Sequence, residues 1–315
     1  MTRARKDAAH AAQAASATRP RWPGPAAWPE PAWALVLVLV LVLALAGGAA
    51  VAWASPAPPQ VFDEAQDLRA SAESYAAEVD RQLDVPPAAQ AAVVTLLAQA
   101  LESAGLADLA PQHVLVVDRS PQVQAAFLLL RTPQGGWLWV GASPVSTGRV
   151  GSFDHFRTPV GVFAHSLDNP DFRAEGTLNS NGIRGYGVRG MRVFDFGWAL
   201  AERGWGGGGF SEMRLQMHAT DPALLEQRLG RAESKGCIRI PAALNTYLDR
   251  HGVLDADYAQ ALAQGRPLWM LRADRTPLPW PGRWLVVVDS ATPERLAWSP
   301  LPGTKAAAVD AGAAC

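Results

Sequence analysis

Apolar residues recur at helical spacing after the N-terminal region and predict two helices. The first covers residues 62–84, where one side carries Phe62, Leu68, Tyr75, Val79 and Leu83. The pair Pro86-Pro87 breaks the pattern, and an Ala/Leu-rich helix over residues 87–104 then ends before Gly105. Residues 55–110 thus form a short helical N-terminal segment, either a packing module or a spacer. Its composition favours a spacer or scaffold without chemistry of its own.

The pattern changes at Pro111, after which short apolar runs alternate with turns rich in glycine and proline. Such runs predict β-strands joined by tight connections. The predicted strands are His113–Asp118, Ala125–Arg131, Trp137–Val140, Leu268–Leu271 and Leu285–Val288. We therefore expect a mainly β domain with flanking helices over residues 111–290, followed by a C-terminal tail over residues 291–315.

A further strand is predicted after a long glycine-rich region that runs from Asn179 to Phe210. Apolar and polar residues alternate there, so Met213, Leu215 and Met217 face the core while Arg214, Gln216 and His218 face the other way. His218 is therefore predicted at a strand end, opposite the buried side. Residues 241–250 then predict a helix with Pro241 in its first turn.

The N-terminal 54 residues have the pattern of an export segment. Basic residues precede an uncharged apolar block from Trp33 to Ala54, which closes with Ala52-Trp53-Ala54. This order is typical of a cleaved secretory signal, and the block is also long enough for an uncleaved membrane anchor. Under either interpretation the remaining chain is exported to the cell envelope, because the basic residues keep the N-terminus inside.

Composition excludes several classes of function. The net charge of −1 offers no basic patch of the kind that nucleic acid requires. The only two cysteines, Cys237 and Cys315, are too few for a disulfide framework, and Cys237 is better explained as a reactive thiol. The histidines outside the Cys237 region have no metal-ligand spacing, so we expect no metal. Among them are His113, His155, His165 and His251.

The segment Gly185–Gly190 matches G-x-G-x-x-G, a pattern associated with dinucleotide binding. No strand–helix–strand unit surrounds it, so we expect no cofactor. A flap over a site is the better interpretation, with Tyr186 and Arg184 as substrate contacts. Trp205 and the four glycines of residues 206–209 fit a mobile rim.

Ser234-Lys235-Gly236-Cys237-Ile238-Arg239 is the segment that carries chemistry. A cysteine nucleophile needs a base, a field that favours thiolate and N–H donors for the developing oxyanion. His218 lies 19 positions upstream as the base, and the N-terminus of the helix near Pro241 supplies the field. Backbone N–H groups around Lys235, Gly236 and Cys237 are the candidate donors, and Ser234 could bond the turn. These features predict an acyl-transfer enzyme.

Three stretches occur in the order Val145–Gly148, Thr158–Phe163 and His218–Arg239. Together they resemble the catalytic domain of the L,D-transpeptidase (YkuD-like) family, over roughly residues 111–290. The resemblance implies a mixed β-sandwich in the periplasm of a bacterium that acts on peptidoglycan stem peptides. Cys237 would form an acyl-enzyme, release D-alanine and pass the acyl group to an amine of another stem or of a lipoprotein.

The resemblance also assigns roles to neighbouring residues and shows two departures. Arg239 matches the family arginine, which would hold a substrate carboxylate or order the loop. Lys235 stands where the family commonly has histidine, and its charge would still favour thiolate. Ala219 replaces a common glycine.

Two alternatives stay open at this point. Water could accept the acyl group, which would make the protein a hydrolase that trims stems or detaches wall-linked protein. Alternatively, the protein could be a non-catalytic wall-binding module that has kept the fold. Lys235, in place of the common histidine, would then reflect the loss of activity. An uncleaved N-terminal segment would also tie the protein to the inner membrane.

Overall fold

The computed structural model of the protein describes residues 61–303. The predicted signal or anchor over residues 1–54, the beginning of the linker and the end of the tail lie outside them. The described chain begins with helices α1, Glu64–Glu78, and α2, Pro87–Ser103. Asp63 caps α1 by accepting the N–H of Gln66 at 3.0 Å, and proline opens α2, where no N–H is needed.

The first sheet has five strands in the order β3-β2-β1-β9-β4. Their bounds are β1, His113–Asp118; β2, Ala125–Arg131; β3, Trp137–Pro144; β4, Gly161–Ala164; and β9, Trp284–Val288. β1 and β9 are parallel and the other pairs are antiparallel. Strands β1, β2 and β9 are apolar on both faces, because an element covers each face of this sheet.

The second sheet has the order β5-β6-β7-β8. Its strands are β5, Phe172–Arg173; β6, Arg192–Glu202; β7, Phe210–Ala219; and β8, Ile238–Ile240. β7 and β8 are parallel, and the β6–β7 pairing shifts register between Asp195 and Trp198. Two helices complete the fold: α3, Ala242–Arg250, and α4, Ala256–Ala263.

Two apolar cores hold these layers together. Inward residues of both sheets, such as Leu115, Leu215 and Ile238, share one core with α1 and α3. The opposite face of the first sheet packs against α2 in the second core, through residues such as Leu97 and Phe127. The result is a mixed, sheet-rich domain with few helices, as the alternation of apolar runs predicts.

Helix α1 is joined to the sheets by buried polar contacts as well as by apolar packing. The hydroxyl of Tyr75 bonds that of Ser143 at 2.6 Å, and Ser71 Oγ lies 3.0 Å from His113 Nε2. Trp280 Nε1 donates to Asp67 at 2.6 Å. Helix α1, like α2, is therefore a packing element of the domain.

A charged cluster is buried where the second sheet meets α3 and α4. Both carboxylate oxygens of Asp255 accept from Arg192, at 2.8 and 2.9 Å, and Arg192 Nε donates to Asp171 at 2.5 Å. His165 Nε2 lies 2.9 Å from Asp171. Burial lowers the pKa of His165, but the charge and hydrogen bond of Asp171 together with the charge of Asp255 outweigh it, and the net shift is upward. The cluster joins the start of β6 to Asp171, which precedes β5, and to Asp255, which precedes α4.

One strand prediction is wrong. Residues 268–271 form a turn in which Leu271 N–H bonds the carbonyl of Leu268 at 3.1 Å, because no strand is available to pair with this run. No strand was predicted in the glycine-rich region from Asn179 to Phe210, but this region contains the long strand β6. Its core-facing residues Phe194 and Phe196 are interspersed with charged residues and glycine, which obscure the apolar alternation. Trp205 packs against Phe156 with 4.8 Å between ring centroids, which anchors the predicted mobile rim to the core.

Candidate active site

Cys237 directly precedes β8, at the end of a turn that Ser234 organises. Ser234 Oγ donates to the carbonyl of Cys237 at 2.5 Å and accepts the N–H of Gly236 at 3.1 Å. The serine is buried, and its own N–H bonds the carbonyl of Thr147 at 3.0 Å. These bonds fix the backbone on both sides of Cys237.

Gly236 is needed in this turn for space and conformation. Its φ of +138° lies where L side chains are strained, and an added Cβ would come within 2.7 Å of Met213 Sδ. Its N–H is already donated to Ser234, and its carbonyl accepts from Thr158 Oγ1 at 2.6 Å. The prediction that the Gly236 N–H is free for an oxyanion is therefore wrong in this arrangement.

His218 lies in β7 and Cys237 immediately precedes the adjacent parallel strand β8, and both project from one face of the second sheet. His218 pairs with Arg239 and Met217 pairs with Ile238, which places Cys237 level with Gln216. Because side chains alternate along a strand, Cys237 and His218 lie on the face opposite Met217. Within residues 61–303 no hydrogen bond joins the thiol to the imidazole. Catalytic hydrogen bonds of this kind commonly tighten only when substrate binds.

The imidazole of His218 has the tautomer that a general base requires. Nδ1 lies 2.8 Å from the carbonyl of Ala219, which can only accept, so Nδ1 carries the proton and Nε2 is left as the acceptor. His218 faces away from the core, as predicted, but it is buried rather than solvent-facing. Burial lowers its pKa to about 4, and the charge of Arg239 adds to that shift.

Tyr186 is the residue that covers His218. Their ring centroids lie 4.6 Å apart with an interplanar angle of 66°, and the Tyr186 hydroxyl donates to Gln216 Oε1 at 3.3 Å. Burial raises the pKa of Tyr186, and the charge of Cys237 adds to the shift. The flap predicted around Tyr186 thus lies over the histidine as the loop between β5 and β6.

The thiol of Cys237 is neutral at rest, which differs from the predicted thiolate. Burial raises its pKa above the usual range, and a backbone hydrogen bond from Gln216 and the charge of Arg239 offset this only in part. The lysine charge and the helix N-terminus that were predicted to favour thiolate both contact other groups. Lys235 Nζ binds Asp154 at 2.9 Å, and Ala242 N–H at the start of α3 bonds Glu226 Oε1 at 2.5 Å.

Arg239 brings a positive charge to the same face as the thiol. Its guanidinium forms no hydrogen bond or ion pair with any residue of the described chain, although its backbone pairs with Ser146. Burial lowers the pKa of Arg239, and the charges of Cys237 and Glu233 oppose that shift. A half-buried cation without a fixed partner is suited to binding a carboxylate.

Arg184 lies in the predicted flap, where it is bound to Asp221, and its contact with substrate stays a prediction. Its backbone N–H donates to Asp221 Oδ2 at 2.9 Å, and its guanidinium lies 3.7 Å from the same oxygen. Asp221 is fully buried and also accepts the N–H groups of Ala223 and Leu224. Arg184 therefore anchors the flap.

Two polar residues that sequence reasoning missed complete this face. Asp195 accepts from Arg214 Nε at 2.9 Å and from Gln216 Nε2 at 3.0 Å, and Gln216 in turn holds the Tyr186 hydroxyl. The alternation in β7 could have identified Gln216, because it shares a face with His218. Asp195 could not be found, since its place depends on the β6–β7 register and the bulge beside it.

Three of the remaining histidines have structural partners. His165 bonds Asp171, His251 Nε2 lies 2.8 Å from Glu78, and His113 bonds Ser71. The part of the chain that is described holds no group of three or more His, Cys, Asp or Glu residues placed to bind a metal. The segment Gly185–Gly190 joins two strands rather than a strand and a helix, so it lacks the geometry of a dinucleotide-binding turn.

Comparison with protein-family models found none that matches this chain, and comparison with curated proteins found no similar sequence. Among residues 61–303, no helix combines the length and apolar character that crossing a bilayer requires.

Proposed function

We propose that the protein is a cysteine-dependent L,D-transpeptidase of peptidoglycan. One observation carries the proposal: Cys237 and His218 lie on one face of the second sheet, and so does Arg239, whose guanidinium has no hydrogen bond or ion pair among residues 61–303. The ordered motifs in the sequence add the substrate class, a stem peptide whose carboxylate would bind Arg239. The exported location predicted for residues beyond 54 is where such a substrate occurs.

The chemistry begins from a neutral thiol and a neutral imidazole. Because burial raises the pKa of Cys237 and lowers that of His218 to about 4, both groups are uncharged at neutral pH. His218 Nε2 takes the thiol proton as sulfur attacks the carbonyl, and it gives that proton to the departing D-alanine amine. The developing imidazolium is costly in a buried site, so the reaction depends on a negative oxyanion forming beside it.

An acyl-transfer assay tests this proposal. The full-length protein, purified in detergent, is incubated with a disaccharide-tetrapeptide and the products are identified by mass spectrometry. A cross-linked dimer with loss of D-alanine is expected from the wild type. His218→Ala should lose roughly 10²–10⁴-fold in rate, the usual contribution of a general base. D-Alanine release without a dimer would instead indicate hydrolysis, and no release from folded protein would contradict both reactions.

A further inference from the structure

A pocket of about 330 Å³ lies directly behind Tyr186. Its wall is formed by the start of the β5–β6 loop together with the flap, including Phe172, Glu175, Thr177 and Tyr186. The ring of Tyr186 is shared between this pocket and the active site, because it also lies against His218. A group bound here is therefore separated from the imidazole of His218 by one side chain, that of Tyr186.

The charge inside this pocket is negative. Arg173 is the only cationic lining residue, and its guanidinium is held by Asp249, by the carbonyl of Gly190 at 3.1 Å and by the carbonyl of Met270. Glu175 forms no ion pair or side-chain hydrogen bond with any residue between 61 and 303. The uncompensated charge of the lining is thus one exposed carboxylate.

Two aromatic rings stand beside that carboxylate. Phe172 and Tyr186 both line the pocket, and their ring centroids lie 5.7 Å apart with an interplanar angle of 77°. Aromatic faces attract cations, and one carboxylate with two rings suits an organic ammonium group. A hard divalent cation would need several oxygen ligands, which this lining does not supply.

We propose that this pocket binds the primary ammonium group of the acyl acceptor, with Glu175 as its anionic partner. The inference rests on the proposed function, because it assigns the acceptor to the same thiol chemistry. The amine reaches the thioester past the edge of Tyr186. Its nitrogen forms the new C–N bond as the C–S bond to Cys237 breaks. One of the three ammonium protons stays on the amide, one returns to the sulfur through His218, and one leaves to water.

The test measures how the acyl-enzyme divides between an added amine and water. The full-length protein receives a tetrapeptide donor whose own side-chain amine is acetylated, with n-butylamine as the only acceptor. Butylamide and hydrolysed tripeptide are quantified by mass spectrometry. For the wild type, butylamide formation should saturate with n-butylamine. In Glu175→Gln the half-saturating concentration should rise about tenfold or more, the usual effect of losing a charge-assisted hydrogen bond.

A matched control and a second measurement keep the two proposals apart. Glu102→Gln changes an exposed glutamate at the end of α2 and should match the wild type. Release of D-alanine with an unchanged half-saturating concentration in Glu175→Gln would overturn the pocket and leave the function standing. Failure of the wild type to release D-alanine would contradict the function, and the pocket proposal is then tested by binding alone.

The binding test is an NMR titration of the wild type with n-butylamine. Saturable shifts of the Tyr186 and Phe172 ring signals support the proposed pocket, whereas equal shifts with uncharged n-butanol, or no shifts, overturn it.

Discussion

The ring of Tyr186 lies edge-on against the imidazole of His218, with 4.6 Å between the two centroids. This contact covers the histidine, which is only 4% exposed although it projects from the face of the sheet that carries the site. The same contact explains why burial dominates the pKa of His218. The flap therefore controls the strength of the base as well as access to it.

Removal of the Tyr186 ring should raise the pKa of His218. Tyr186→Ala exposes the imidazole, so the pKa is expected to move from about 4 toward the ordinary value of 6.5. Tyr186→Phe keeps the ring and loses only the bond to Gln216, so its effect should be much smaller. An NMR titration of the His218 ring protons measures both variants. Equal pKa values in the wild type and Tyr186→Ala would show that the flap does not bury the base.

Alkylation of Cys237 should be slow at neutral pH and should accelerate only above pH 9, because burial raises the thiol pKa above its reference value of 9.0. Arg239→Gln removes a charge that lowers this pKa, so its alkylation profile should move to still higher pH. The measurement is the rate of iodoacetamide labelling as a function of pH. The Cys237→Ala variant measures the labelling of Cys315, which is subtracted. A reactive thiol already present at pH 6 would indicate a resting ion pair and contradict this description.

The buried charged cluster should be far more sensitive to substitution than the surface pairs. Arg192→Met leaves the carboxylates of Asp171 and Asp255 without their main partner, and breaking a buried pair of this kind costs about 3–5 kcal/mol. Arg272→Met removes an exposed pair with Asp274, which solvent screens, and should leave the urea midpoint nearly unchanged. Urea unfolding compares the two variants. Similar midpoints would show that the cluster contributes little.

Stability should be greatest near pH 6.5, because buried histidines act in opposite directions. Burial lowers the pKa of His113 and of His218 to about 4, so each costs about 1.4 kcal/mol per pH unit as the pH falls from 6.5 to 4. His165 has a raised pKa, so its contribution is present below pH 6.5 and is lost as the pH rises through the folded value.

Thermal unfolding from pH 4 to 9 locates this maximum. His113→Gln should reduce the loss on the acidic side, and His165→Gln should reduce it on the basic side. A maximum that stays in place with unchanged slopes in both variants would assign the pH dependence to other groups.

Much of the fold follows from local patterns in the sequence. Strands β1, β2 and β9 are buried on both faces, and their unbroken apolar runs identify them with almost correct ends. Strand β6 could not be predicted in the same way, because charged residues such as Arg192 and Asp195 interrupt it. Their partners, among them Asp255 and Arg214, are distant in sequence, and only the folded chain brings them together.

The candidate site likewise has features that local sequence patterns predict and features that depend on tertiary contacts. Cys237 and His218 are candidates because of the chemistry of their segments, Arg239 is a candidate because of the family resemblance, and their roles stay predictions. The electrostatics of the thiol were predicted wrongly, because the partners of Lys235 and of the α3 N-terminus depend on tertiary contacts. The glycine before Cys237 was assigned to the oxyanion, but Ser234 uses its N–H to fix the turn.

The central claim is that Cys237 forms an acyl-enzyme with a stem peptide, and the mass of the intact protein tests it most directly. The full-length protein is mixed with a tetrapeptide donor, quenched in acid within seconds, and weighed before and after proteolytic mapping. The account predicts an added mass equal to the tetrapeptide less D-alanine, on the fragment that contains Cys237, and no addition in Cys237→Ala. Unmodified wild-type protein, or an adduct that survives in Cys237→Ala, would contradict it.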